Sequence, residues 1–253
     1  MKRCLLVLSF LLGLSLSALA DAAPTQEEVD VLVEREMFKF IHAEDWHAAV
    51  AYWKQRGVTD EMLYNSFAKV ARKTMNAPSR SEESRKCRQA VDSMVSFCPR
   101  PDGLTNILFV AEHAGNDELR GHAIWAWHAK VDTNQFLDWA ERVAPDPNLG
   151  FRASAELMSC LGEEFKKVGN DRKKWSRLHR IVARHLEAGG KGALSADRVL
   201  LRNDTGYEQS ALHRKTVLLL LDPERSPLKG NPFVDRRHVE GEYRRMNERL
   251  LGK

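Results

Sequence analysis

The sequence predicts an all-α fold of about twelve helices, packed as antiparallel hairpins in an α-solenoid-like stack. Ala and Leu contribute 56 residues whereas Val, Ile and Thr contribute only 29, and β-branched side chains are the ones that favour strands. Apolar residues recur at alternating spacings of three and four, as they do in amphipathic helices. Short loops separate these segments, which is typical of helices that pack against their chain neighbours.

The first 20 residues have the layout of a signal peptide. Lys2 and Arg3 carry positive charge, an apolar stretch follows, and Ala18-Leu19-Ala20 places small residues where a signal peptidase reads them. We therefore expect cleavage before Asp21, export to the periplasm or the extracellular space, and a single helical domain over residues 21–253. The alternative is a retained membrane anchor, for which the stretch is short against a span of about 20 residues.

Helix boundaries can be predicted from capping residues and breakers along the chain. Thr25 and Glu28 form a capping box, which opens a helix to about residue 43. A second helix begins at Asp45 and ends at Gly57, since glycine accepts the positive φ that follows many helices. Ser79 and Glu82 form another capping box. The remaining helices are expected at about 59–76, 79–98, 102–114, 116–131, 133–144, 148–167, 171–188, 195–202, 205–222 and 232–251.

Six tryptophans, at positions 46, 53, 125, 127, 139 and 175, fall mostly on the apolar faces of their helices. We expect most of them in the core, although several on one concave surface could stack on a sugar or anchor a peptide. Trp125 and Trp127 lie about 200° apart around a helix, so their helix is expected to be covered on two sides. The run Val217–Leu221 is apolar on all sides, so we expect its helix to be enclosed by neighbouring helices.

Three cysteines remain once the leader is removed, namely Cys87, Cys98 and Cys160. A bridge between the first two is the obvious pairing in an exported chain. A continuous helix from residue 81 to residue 97 would hold them about 16 Å apart, beyond the reach of a disulfide. Either this helix breaks early or the pair is not bridged, and buried free thiols are the interpretation we favour.

Two stretches carry a family resemblance. GNDELRGHAIWAW (115–127) and PDPNLGFRASAELM (145–158) each place an Asp or Asn turn before a helix, with Arg120 and Arg152 at matching positions. This pattern resembles the second helix of HEAT-like repeats. DWHAAVAYWKQRGVTDEMLYNSFAKV (45–70) is similar to a helical hairpin of the tetratricopeptide class. The resemblance implies an α-solenoid whose concave face binds extended partners, and it assigns no binding residue.

Charge argues against nucleic acid as the partner. Without the leader the chain carries 37 basic and 35 acidic residues, which gives no broad attraction to phosphate. HEAT-like enzymes of DNA repair are therefore a poor comparison for an exported chain. No second apolar run is long enough for a membrane span, so no stable span is expected after leader cleavage.

Candidate catalytic residues form one local cluster, Glu112, His113 and His122, beside Trp125 and Trp127. A carboxylate that orients an imidazole is how a general base is built, and this predicts a hydrolase or lyase acting on an envelope polymer in a groove lined by Trp and His. The plain alternative is an exposed Glu-His pair at a helix end. No HExxH, nucleophile elbow or phosphate loop occurs, so we expect no metal and no cofactor.

A basic ridge is the one ordered charge pattern, formed by Lys173, Arg177, Arg180 and Arg184 on one helix face. Arginine suits planar anions, so the ridge could dock an acidic partner, although a solvated helix face is the simpler interpretation. The sequence thus favours a non-enzymatic interaction or scaffold module, which would bind an extracytoplasmic protein or an envelope component. Its oligomeric state is left open.

Overall fold

A computed structural model describes residues 23–36, 43–100, 103–169 and 171–188, then 191–192, 195–196, 199 and eight single positions between 218 and 244. The all-α fold class is confirmed over these residues, which contain no strand. None of the helices described is long and apolar enough to cross a membrane. The helices are α1 (Gln26–Glu36), α2 (Ala43–Lys54), α3 (Asp60–Thr74), α4 (Glu82–Phe97), α5 (Thr105–His113), α6 (Asp117–His128), α7 (Thr133–Val143), α8 (Phe151–Val168) and α9 (Arg172–Glu187).

Several expected elements lie outside this part of the chain. The leader and the helices expected at about 205–222 and 232–251 fall largely on residues that are not described, as does the weaker helix near 195–202. The total of about twelve helices stays a prediction. Leu218, which belongs to the run expected to be enclosed, is 55% exposed.

The chain divides into two compact units, residues 1–66 and 67–253, with the boundary inside α3. The first unit begins with the predicted capping box, in which Thr25 N donates to Glu28 Oε2 at 2.8 Å and Glu28 N donates to Thr25 Oγ1 at 3.3 Å. Ser66 Oγ donates to Asp30 Oδ1 at 2.6 Å and joins α1 to the end of this unit. The single domain expected over 21–253 remains a prediction.

In the second unit, helices contact the next helix but one as well as some of their chain neighbours. Contacts join α4 to α6 and α6 to α8, and a second series joins α7 to α9. Successive helices α4–α5, α5–α6 and α8–α9 also contact each other. Helix α6 therefore lies between α4 and α8, and its buried positions, from Leu119 to His128, face them and α5.

Polar side chains tie the loops of this unit together at a regular separation along the chain. Asn76 Oδ1 accepts from Gly115 N at 2.7 Å, and Asn116 Nδ2 donates to the Ala77 carbonyl at 2.6 Å, 39 residues away in both cases. Asp117 accepts from Arg152 N and Ala153 N, 35 and 36 residues further on. The two bonds to Asp117 satisfy backbone N–H groups in the first turn of α8, which have no partner within their own helix.

The capping box expected from Ser79 and Glu82 is wrong. Ser81 caps α4 instead, and its side chain accepts from Ser84 N at 3.0 Å. Arg80 has a φ of +66°, so the chain turns between the two serines, and Ser79 Oγ bonds to Asn116 at 3.4 Å. Ser79 and Ser81 lie at similar distances before the apolar run, so the local sequence pattern does not show which of them caps the helix.

The three cysteines described are all free, as we favoured from the sequence. α4 is continuous from Glu82 to Phe97, so Cys87 lies deep in the helix while Cys98 lies just beyond its end. Cys87 and Cys160 are buried, whereas Cys98 is only half-buried. The expectation of buried thiols therefore holds for two of the three.

Candidate functional site

The structure does not bring the three candidate catalytic residues together. Glu112 Oε1 accepts a hydrogen bond from Trp139 Nε1 at 3.0 Å. His113 is exposed and packs edge-on against Phe109, with 4.5 Å between ring centres. His122 is held by a different carboxylate, as described below. Each side chain thus has its own partner, and no acid–base pair is formed among the three.

Trp125 is the exception among the tryptophans. Four of the six are at least 92% buried, at positions 46, 53, 127 and 139, and Trp175 is half-buried. Trp125 is 46% exposed, so the expectation that its helix is covered on both sides is wrong. The outer side of α6 stays open because α4 and α8 flank this helix and α5 lies against it, and no described helix lies over Trp125.

His122 supports the exposed indole. The two rings stack with 5.9 Å between centres and 29° between planes. His122 Nε2 lies 2.8 Å from Asp92 Oδ1, which fixes the imidazole from α4. A tryptophan whose neighbour is held in this way is a preorganised contact surface, since less side-chain freedom is lost when a partner binds.

Carboxylates from α8 reach the same surface. α6 and α8 run in the same direction, because Asp117 joins their first turns and His128 joins the last turns by its bond to Glu164. Gly121 lies against the backbone of Arg152, where an added Cβ would be 3.2 Å from the carbonyl oxygen. Four residues further along both helices, Glu156 is therefore level with Trp125.

We call this surface the tryptophan face and define it by Asp92, His122, Trp125, Glu156 and Glu163. The pKa of Glu156 is raised, mainly by burial and also by repulsion from Glu163, although the nearby His122 opposes this shift. Glu156 forms no hydrogen bond or ion pair with any residue that the structure describes. The face therefore combines an exposed aromatic ring with a carboxylate that has no hydrogen bond or ion pair in the described part of the chain.

The basic ridge is divided by the fold. Arg177 binds α7, with its Nε 2.9 Å from Glu141 Oε1 and its guanidinium also on Asp138. These bonds raise the pKa of Arg177 and lower that of Glu141. Lys173, Arg180 and Arg184 remain exposed. One of the four predicted partner-binding residues is therefore committed to its own chain, since its charge is already compensated.

Sequence reasoning missed a buried polar pair that joins α6 to α8. His128 Nε2 lies 2.7 Å from Glu164 Oε1, and both side chains are at least 98% buried. Lys167 Nζ reaches the same oxygen at 2.6 Å. The two residues are 36 positions apart, so no local pattern connects them. A carboxylate on the apolar side of a helix was the only available signal.

His185 is a second buried histidine with a structural role. Its Nδ1 donates to the Ala144 carbonyl at 2.8 Å, and its Nε2 accepts from Gly192 N at 3.2 Å. Burial lowers the pKa of His185, which keeps the ring neutral as this acceptor role requires. The imidazole thus fixes α9 against the end of α7 and is closed to a substrate.

Trp175 belongs to a different surface. Its ring stacks on His179 at 5.3 Å, and it lines a cavity of about 520 Å³ together with Gly169, Arg172 and Ser176.

Within the described ranges, no group of three or more His, Cys, Asp or Glu side chains could hold a metal ion. Comparison of the chain with protein-family models, curated proteins and solved structures returned no match.

Proposed function

We propose that this chain is an exported interaction module that binds another extracytoplasmic protein or an envelope component through the tryptophan face. The observation that carries the proposal is the exposure of Trp125. Tryptophan is strongly enriched in binding hot spots, and an exposed, supported indole is the kind of anchor that such interfaces use. The candidate catalytic residues have separate partners, so the proposal is based on binding and not on chemistry.

The proposed architecture is an α-solenoid of helical hairpins, as the HEAT-like and tetratricopeptide-like patterns imply. Two findings in the second unit support it. Helices contact the next helix but one, and side-chain hydrogen bonds join residues 35 to 39 positions apart. Helical-hairpin repeats have periods of about 34 to 47 residues, so the separations fit this class. Such stacks present extended surfaces made of successive equivalent helices.

Affinity capture from the exported fraction tests the proposed function. The full-length chain, expressed with its leader and recovered after export, is crosslinked to its surroundings, and captured components are quantified by mass spectrometry. We expect a stoichiometric partner that is lost in Trp125→Ala. Val31→Ala is the matched control, because Val31 is also an exposed apolar residue, at 59% exposure, and lies in the other unit.

Two outcomes would contradict the proposed function. Capture that is unchanged by Trp125→Ala would remove the tryptophan face from the interaction. The absence of any stoichiometric partner would argue against an interaction module. The basic ridge is tested in parallel by changing Lys173, Arg180 and Arg184 to Glu. If the ridge docks an acidic partner, this variant loses that partner, whereas Trp125→Ala still binds it.

A further inference from the structure

Carboxylates lie on both of the helices that flank Trp125. Asp92 on α4 bonds to His122, whose ring stacks on the indole, while Glu156 on α8 interacts electrostatically with His122 and with Glu163. Asp92 is engaged by His122, but its side chain remains 52% exposed. Glu163 is 53% exposed and has only a distant contact, 3.8 Å from His128 Nδ1. The open aromatic ring therefore has carboxylates on both of the helices that flank its own.

Basic residues on the same helices form no ion pair with these carboxylates in the described part of the chain. Arg88 and Arg152 are exposed one turn before Asp92 and Glu156, respectively. Neither arginine forms an ion pair with a residue in the described part of the chain. Lys167, near Glu163, is bound to the buried Glu164 instead. Among the described residues, the carboxylates of the face thus have no lysine or arginine partner, and their oxygens can accept one from another molecule.

From this complementarity we infer that the partner is a protein that places a basic segment, with an arginine or lysine over the Trp125 ring, on the tryptophan face. The inference rests on the proposed function and names the chemistry of its partner. A cation within about 6 Å of an indole centre is attracted by the ring, and neighbouring carboxylates strengthen this attraction. Arginine fits best, because its planar guanidinium stacks on the ring and can bind a carboxylate in the bidentate mode.

Stacking explains why both types of group are needed. Carboxylates alone would hold an exposed cation weakly, because water and salt screen surface charges. The indole excludes water from one side of the guanidinium, while Glu156 supplies the opposite charge from the adjacent helix. His122, fixed by Asp92, keeps the ring in place. An acidic segment would be repelled by the same carboxylates.

A peptide pair tests the inference directly. The probe is an acetylated Gly-Arg repeat of eight residues, and its control is the same peptide with citrulline, which keeps the shape without the charge. Binding to the purified full-length chain is followed by NMR of the six indole N–H signals, with Trp125 assigned from the Trp125→Phe spectrum. We expect the arginine peptide to shift the Trp125 signal and the citrulline peptide to leave it unchanged.

Variants then separate ring from charge. Trp125→Ala is expected to weaken binding of the arginine peptide about ten-fold, within the range of cation–aromatic interactions. Glu156→Gln with Glu163→Gln is expected to weaken it at least five-fold and to reduce its dependence on salt. Glu83→Gln is the matched control, since Glu83 is an exposed carboxylate in the first turn of α4. Circular dichroism of each variant checks that the helices are intact.

The outcomes distinguish the inference from the proposed function. Equal binding of the arginine and citrulline peptides, or binding insensitive to both the Trp125 and the Glu156/Glu163 changes, overturns the basic segment. If the partner captured above needs Trp125 but the arginine peptide does not bind, the interaction module stands and the cationic partner is wrong. If choline binds as tightly as the peptide, the source of the cation is a small ammonium ligand and the basic protein segment is overturned.

Discussion

Glu164 shows how a single buried carboxylate can join two helices. It is bound by His128 from α6 and by Lys167 from its own helix. Burial raises the pKa of Glu164, but the hydrogen bonds from Lys167 and His128 prevail and the pKa is lowered overall. The charged form is therefore the one that the folded chain holds. Removal of one hydrogen-bond partner from a buried carboxylate destabilises the fold, because the carboxylate loses part of its compensation and keeps only Lys167.

The first prediction concerns this pair. His128→Ala is expected to lower the free energy of unfolding by about 2 kcal/mol, because Glu164 loses a buried hydrogen bond while Lys167 still compensates its charge; denaturant titration measures this. Glu82→Ala breaks the exposed pair with Lys86 and is the control, for which we expect little change in the midpoint. A loss as small as that of the control would show that the buried pair does not stabilise the fold.

The same pair predicts a dependence on pH. The pKa of Glu164 is lower in the folded chain than its ordinary value of 4.5, so the unfolded chain binds more protons near that pH. The stabilisation is therefore present above about pH 4.5 and is lost as the pH falls through the folded pKa. Glu164→Gln should flatten this part of the stability profile. If the Glu164→Gln profile runs parallel to that of the unaltered chain, the loss of stability at low pH arises from other carboxylates.

The cysteines give a third prediction at the level of single residues. Burial raises the pKa of the Cys87 thiol to about 11 and also raises that of Cys160, so both are protonated and enclosed. Since the thiolate is the reactive form, a maleimide should label Cys98 first and the other two only after denaturation. Mass spectrometry of the native and denatured chain measures this. With a Cys87–Cys98 disulfide, the native chain would take up no label and the denatured chain would take up one, at Cys160.

Among the elements, the start of α8 depends on a residue of another helix. Gly150 precedes α8 and supplies no side-chain cap. Asp117, in the first turn of α6, accepts from Arg152 N and Ala153 N at 2.6 and 3.1 Å. A carboxylate is doubly favoured there, because it satisfies free N–H groups and complements the helix dipole. Gly150 leaves room for it, since a Cβ would lie inside the carboxylate.

A double-mutant cycle tests this arrangement. Asp117→Ala is expected to cost about 1 to 2 kcal/mol of unfolding free energy through loss of the cap. Gly150→Ala should destabilise the unaltered chain because the new methyl group displaces Asp117. In the Asp117→Ala background the same change should cost much less, so the two effects should not add. Additive effects would show that the cap and the glycine act independently.

Helix positions could be predicted where the signal is local. Asn116, Asp132 and Asp171 cap α6, α7 and α9 directly before the starts observed, because an N-cap acts on the next three residues. Contacts over 35 residues or more could not be predicted. Neither the cap from Asp117 nor the His128–Glu164 pair has a local pattern, since each depends on how hairpins stack. The prediction of Ser79 as the helix cap was wrong because the chain turns at Arg80, which has a positive φ, and Ser81 caps the helix instead.

The candidate site was less predictable than the helices. Trp125 was assigned to a covered helix because its residue type favours burial, although only the packing of α4 and α8 decides which side of α6 stays open. His122 was singled out correctly as lying beside Trp125, but with the wrong carboxylate. Asp92, its actual partner, is 30 residues away on another helix.

At the scale of the whole molecule, near-neutral charge shapes the interaction that we propose. With 37 basic and 35 acidic residues after position 20, the chain has no overall field to draw a partner in. Recognition therefore depends on local groups such as the tryptophan face and the exposed members of the basic ridge. The two surfaces carry opposite charges and lie on different helices, so an acidic partner and a basic partner would bind at different places on the chain.

Export is the last prediction, and it applies to the entire chain. Expressed with its leader, the protein should be recovered outside the cytoplasm with Asp21 as its first residue, measured by intact mass and N-terminal sequencing. Ala20→Phe should block cleavage and leave the precursor with the membrane, since the peptidase needs a small residue there. A full-length, membrane-bound chain without this change would support the anchor instead. Cleavage before Asp21 would leave the capping box of Thr25 and Glu28 intact, so α1 can form unchanged in the exported protein.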